Sequence, residues 1–501
     1  MKKIGFSLFM LMQVFSLQAQ VQELGVSKYF ETTYPEDVAL LPLSNHNTML
    51  IRFHESNKLN VQIYDATRNE IVQVKGKLPV EKLKNVSFYG LRELDNGNVT
   101  FFCMLPEQGS DRVIYNVIIN GQSGLMESCT EVERFSRKQF GMLAAYTDGL
   151  SIATATSDNK KYTALYFKNF NAQQSEMKQQ VWIIDRVGNV IEKAGINQDK
   201  EGKYPKGLGM IGIDIADDGT VYMITTNYKN DKEMKRYFIK KELQKAAKVS
   251  RLCGAAGKYD FFSGNLKYNP VKNEVVYVNY KNYKVRIDSS GACSTELLAF
   301  PELKQLQSDY IKTRNSDKFY FQVGNIEVEP DGSYTYSLAL LMDRMESHHN
   351  NMQMPYTYTT GYGTWNSGKG GFSFVPTFIR GHAFSSSVGS AGFGTLKYDD
   401  VGYYVLARKE GAQYLLFNDN EDSRNKLEES DRLKRIQNKK NVSGFYAIAG
   451  SEKLPKAAPV ISSNNEYSYY YWGTAVKNEK GELVVIKLLD GDKMQVAWLQ
   501  L

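Results

Sequence analysis

Apolar positions along this chain fall in short runs of β-branched and aromatic residues, and each run is closed by a turn built on Asn, Asp or Gly. Long stretches of helical periodicity are few, so the pattern predicts an all-β fold. The runs also recur. A short strand, a turn and an aromatic-rich strand repeat as LLPLSNHNTMLIRF from Leu40, LRELDNGNVTFFCM from Leu91, AAYTDGLSIATA from Ala144 and IGIDIADDGTVYMITT from Ile211. The same pattern returns as LKYNPVKNEVVYVNY from Leu266, YIKTRNSDKFYFQV from Tyr310, LKYDDVGYYVLAR from Leu396 and ISSNNEYSYYYWG from Ile461. With Asn47, Gly97, Gly149, Gly219, Asn273 and Asp317 as register marks, the steps are 50, 52, 70, 54 and 44 residues, close to the period of a propeller blade.

Several of these units are followed by a second hairpin: VQIYDATRNEIVQV from Val61, VIYNVIINGQSGLMES from Val113, VWIIDRVGNVIEKAG from Val181 and YKVRIDSSGACSTEL from Tyr283. A four-stranded meander buries its faces only by stacking on neighbours, so several of them close into a ring. The expectation is a β-propeller of four-stranded blades. Seven blades are preferred, with the C-terminal strands completing a blade begun near the N-terminus, and eight is the alternative. Two segments break the pattern and read as irregular insertions: 342–380, which contains MDRMESHHNNMQMP and YTYTTGYGTWNSGKGGFSF, and 418–441, rich in charge. Long insertions in compact domains often carry function.

The first residues change the picture of compartment. Lys2 and Lys3 precede an apolar run from Ile4 to Leu17, and small or polar residues surround Ala19. That is the order of a secretory signal peptide, read as residues 1–19 with a single propeller domain over 20–501. The run is short of the roughly 20 residues needed to span a bilayer, and no later stretch reads as a transmembrane segment. Without the leader the chain carries 60 basic and 55 acidic residues, a mild excess that is no nucleic-acid footprint. The densest basic stretch, Lys235 to Lys248, reads as a solvated face. Four cysteines permit three pairings in an oxidising compartment. The sequence-local one, Cys103 with Cys129 and Cys253 with Cys293, stands beside the reading of four separate buried thiols.

The blade pattern, together with LLFNDNEDSRN late in the chain and a leader ending SLQAQ, resembles a group of exported β-propeller proteins of Bacteroidota, largely uncharacterised. The resemblance implies a fold and an envelope location, periplasmic, outer-membrane-associated or extracellular. It transfers no catalytic residue.

Candidate chemistry is sparse. Met345, His348, His349, Met352 and Met354 combine thioether and imidazole, which suits copper(I), yet adjacent histidines on an extended chain point to opposite sides. Asn418, Asn420, Asp422 and Glu429 match positions of a calcium loop, but Asn418 stands where Asp is required and Ser423 where Gly is required. IADDGTVY partly resembles the Asp-box turn of sialidase-type propellers, a structural device. His382 near several serines lacks the G-x-S-x-G elbow. No catalytic residue and no cofactor follows from these patterns. Tyr356, Tyr358, Tyr362 and Trp365 have binding-surface composition, large rigid side chains on adaptable backbone. The sequence therefore favours a non-enzymatic protein engaging a protein or surface glycan, against an enzyme with charged residues from several blades converging in a central funnel.

Overall fold

A computed structural model describes residues 20–31, 38–54, 58–78, 89–106, 112–135, 150–171, 176–196, 208–229, 233–253, 264–279, 282–298, 318–347, 353–367, 372–382, 405–420, 434–435, 442–449, 456–462, 469–489 and 493–501. The proposed leader lies outside them.

Every described element is a strand. The strands form eight antiparallel meanders: 38–77, 89–135, 150–196, 208–251, 264–297, 318–382, 405–459, and a last one in which Tyr469–Lys477, Leu483–Leu488 and Lys493–Gln500 are completed by Gln22–Val26. The first strands of successive meanders lie side by side. Eight hydrophobic clusters then occupy the eight seams. Ile51 and Phe101 share the seam between the first and second meanders, Phe102 and Leu165 the next, Tyr166 and Met223 the third. The series continues through Ile224 and Tyr277, Val276 and Tyr336, Phe417 with Ala339, and Leu416 with Trp472, and Trp498 with Tyr64 closes it on the first meander. The described residues form a β-propeller of eight blades.

Alternation within the middle strands explains why both faces of a blade are apolar. In Thr163–Asn171, Ala164 and Tyr166 feed the seam toward the fourth blade, while Leu165 and Phe167 feed the seam toward the second. Such a strand reads as a continuous hydrophobic run because it has no solvent side.

Among the described residues the blades number eight, the alternative the sequence allowed, and each of the eight repeated units lies in, or leads into, a different blade. The four second hairpins fall where they were expected, as the outer strand pairs of the first, second, third and fifth blades. Hairpin turns follow one design. In the fourth blade the Ala216 and Gly219 N–H groups donate to Thr220 and Ala216 carbonyls, with Gly219 at φ 83°, a left-handed value that a β-carbon resists.

The first irregular segment needs revision, while residues 421–433 and 436–441 of the second lie outside the described residues. Residues Tyr334–Ser347, Gln353–Asn366 and Phe372–His382 are the second, third and fourth strands of the sixth blade, so most of 342–380 is sheet. Alternating aromatics in YTYTTGYGTW mark a strand, and the Gly and Thr content masked that signal. Of 418–441, Asn418 to Asn420 end the second strand of the seventh blade, and Lys434–Arg435 pairs in parallel with Ile379 and Arg380 at the outer edge of the sixth. The basic stretch from Lys235 is the third strand of the fourth blade, with Phe238 and Ile239 in its two seams and Lys241 buried against Glu192.

Cys253 and Cys293 are bridged, with Cα atoms 5.8 Å apart. The bond joins the end of the fourth blade to the outer strand of the fifth, so it fastens two blades rather than two strands of one. Cys103 and Cys129 remain thiols. They stand opposite Tyr115 and Val117 on the two sides of strand Arg112–Ile119. Two ladder steps of about 4.8 Å each exceed the roughly 7 Å over which a disulfide reaches.

Candidate functional site

The sixth blade differs from the other seven in length. Its second and third strands have 14 residues each, whereas second strands elsewhere have between 6 and 9. The first strand pairs as far as Asp343 opposite Lys318, and the fourth as far as His382 opposite Tyr358. Beyond those rows, among the described residues, two strands continue, through Arg344–Tyr356, Met345–Pro355, Glu346–Met354 and Ser347–Gln353. Four rows at about 3.4 Å each form a ribbon reaching roughly 14 Å past the blade body.

One of the four predicted recognition residues, Tyr356, belongs to this ribbon. Tyr356 and Tyr358 lie in and beside the ribbon, while Tyr362 and Trp365 pair with Ala339 and Tyr336 within the blade body. They are strand residues, not loop residues. Among the proposed copper ligands, Met345 and Met354 occupy successive ladder rows of the ribbon. His348, His349 and Met352 lie outside the described residues. No group of three or more metal-binding side chains occurs among the described residues. The calcium reading fails at its first position, because the buried Asn418 amide donates to the Tyr470 carbonyl and accepts from the Tyr470 N–H.

A second arrangement was missed by sequence reasoning. Charged residues gather near the ends of the inner strands, where the first hairpin turns lie. Asp214 of the fourth blade accepts the Tyr268 N–H at 2.7 Å and stands 3.7 Å from Lys267 of the fifth, which also reaches Asp158 of the third at 3.2 Å. Arg408 of the seventh blade forks onto Glu329 and reaches Glu327 of the sixth at 2.7 Å. Asp214, Glu327 and Arg408 share one register row, the last but one of each inner strand, so their side chains point along the ring. That shared row is the signal the sequence carried, visible only once the true turns are aligned.

Two sets of charges stand here, and within each set the charges pair with one another. Burial pushes the Asp214 carboxyl above its usual range even with Lys267 and backbone donors beside it, and burial likewise pushes Glu327 up despite Arg408. The Arg408 fork instead holds Glu329 below its usual range. An acid whose folded pKa is raised contributes stability below its unfolded pKa and loses it as pH rises through the folded value; a lowered acid does the reverse. Glu329→Gln therefore costs about 1–3 kcal/mol near pH 7, a cost that fades on acidification, while Glu327→Gln is neutral or stabilising there. Urea unfolding of both variants at pH 7 and in acid checks the contrast.

No known family model and no curated protein matches the chain. Among solved structures, apo AztD from Citrobacter koseri is 11% identical, covering 86% of this chain and 87% of that one at a TM-score of 0.35. The WD40 domain of SCAP from fission yeast is 10% identical, with 95% and 97% covered and a TM-score of 0.34. The Dos1 propeller is 8% identical, with 92% and 77% covered and a TM-score of 0.31. The propeller assignment rests on the chain's own strand pairing and seams.

Proposed function

We propose that this propeller is an exported, non-enzymatic binding protein of the cell envelope, of the kind seen in Bacteroidota. Its partner is a protein or surface polymer, engaged through the arm of the sixth blade. The observation that carries the reading is the pair of 14-residue strands, which project where every other blade stops short. A two-stranded ribbon is marginal in water by itself, so a projecting one gains stability from whatever docks on it. The charged leader pattern at residues 1–19 and the Cys253–Cys293 bond both fit an oxidising compartment. Internal pairing of the Asp214–Lys267 and Glu327–Arg408 sets favours binding over catalysis.

The test replaces residues 344–356 with Asn-Gly, which closes the hairpin at the Asp343–Thr357 row. Expected is an unchanged unfolding midpoint with loss of the envelope components that the intact protein retains. Identical retention by the trimmed and intact proteins would remove the arm from the function. N-terminal sequencing of the protein recovered from the envelope fraction should begin at Gln20; a start at Met1 would overturn the export reading.

A further inference from the structure

Several described residues carry a buried polar side-chain atom without a hydrogen-bond partner, and two of these residues stand together on one blade. Gln179 and Tyr166 are both fully buried, at 0% exposure, and neither the amide oxygen and nitrogen of Gln179 nor the hydroxyl of Tyr166 has a hydrogen-bond partner. Both lie in the third blade. Tyr166 stands opposite Val181, two residues along the strand from Gln179, so strand alternation sets both side chains on one face. That face is the seam toward the fourth blade, because Tyr166 and Val181 pack in one cluster with Val221, Met223 and Ile239.

The same row is flanked by small residues. Across the blade it reads Ala153, Tyr166, Val181 and Ala194, with an alanine at each side of the two larger residues. A primary amide desolvated at both ends and an unpaired phenol on one dry face would be a large penalty left uncollected by folding.

We propose that the seam between the third and fourth blades is a built internal site for small neutral hydrogen-bonding molecules, occupied by ordered water. The chemistry on offer is two amide donors, one amide acceptor and a hydroxyl able to give or take. Burial holds the Tyr166 phenol well above the usual tyrosine range, so it keeps its proton as a donor. Water can answer donors and acceptors together, and buried waters typically make about three hydrogen bonds. A bare ion would find only neutral groups among these.

The test compares the full mature chain with its Gln179→Met and Tyr166→Phe variants. Each variant keeps the volume and removes the polar atoms. Oxygen-17 relaxation dispersion of solvent water counts long-lived internal waters, and the count should fall in Gln179→Met. The ratio of folded to unfolded protein should fall about tenfold in Gln179→Met, because a satisfied buried group is lost. The opposite results overturn the site. An unchanged water count, or a higher folded fraction on removing the amide, would mean that Gln179 sits unpartnered. Tyr166→Phe supplies the same readings if Gln179→Met fails to fold.

Discussion

Lys487→Met lowers the free energy of unfolding by about 3–5 kcal/mol, the cost of leaving a buried carboxylate without its cation. Lys487 and Glu23 are essentially sealed from solvent, with side chains 1% and 0% exposed and Nζ 2.9 Å from the nearer carboxylate oxygen. Tyr470 donates its hydroxyl to the same carboxylate at 2.9 Å, and Lys487 also donates to Ser462. The pair matters because of where its halves come from. Glu23 is on the strand that completes the eighth blade from the other end of the chain, and Lys487 is on a strand of that blade made last. Replacing both, as Glu23→Leu with Lys487→Met, should recover most of the loss, since an apolar pair of similar volume carries no desolvation penalty. Urea midpoints for the two single variants and the double variant decide it: additive losses would show that the ion pair is not a coupled unit.

Cys253→Ser with Cys293→Ser lowers stability by about 4 kcal/mol on the chain-entropy account, for a closed loop with a sequence separation of 40. The loop it closes holds three of the four strands of the fifth blade, so the bond restrains an entire blade against its neighbour. Native-state hydrogen exchange separates this from a local effect. Faster exchange in the strands Glu274–Asn279 and Tyr283–Asp288, with the first blade unchanged, is the expected pattern. Unaltered exchange in the fifth blade after reduction would show that packing alone holds it.

The β class and the blade repeat were legible because hairpin chemistry is local. The outer hairpins at Asp65, Asn120, Asp185 and Asp288 announce themselves with Asn, Asp and Gly at fixed positions between apolar runs. The inner hairpins were harder. AAYTDGLSIATA and YIKTRNSDKFYFQV lead into the inner strands of the third and sixth blades, whose own turns are Ser157–Tyr162 and Glu329–Ser333. A connection between blades and a turn within one use the same residues and recur once per blade, so they keep the same period. With the wrong turn aligned, the shared row of Asp214, Glu327 and Arg408 cannot be seen. The closing strand was illegible for another reason. QELGV is short, and its pairing partners lie at the opposite end of the sequence. The two readings left open for the cysteines each hold for one pair, Cys253 and Cys293 being bridged and Cys103 and Cys129 being thiols, because sequence proximity cannot tell adjacent strands from strands one apart.

The closing strand also sets how the molecule answers to force. Gln22 pairs with Gln500 and Val26 with Ala497, so the two ends of the chain leave the ring side by side. Tension applied between them would load the ladder one rung at a time, as a zipper is opened, rather than shearing all its rungs together. A ring whose clasp is costly to remove at equilibrium is thus peeled from its termini at low force. A tether that pulls on both ends would open the eighth blade first, while one gripping a single end would leave the ring intact.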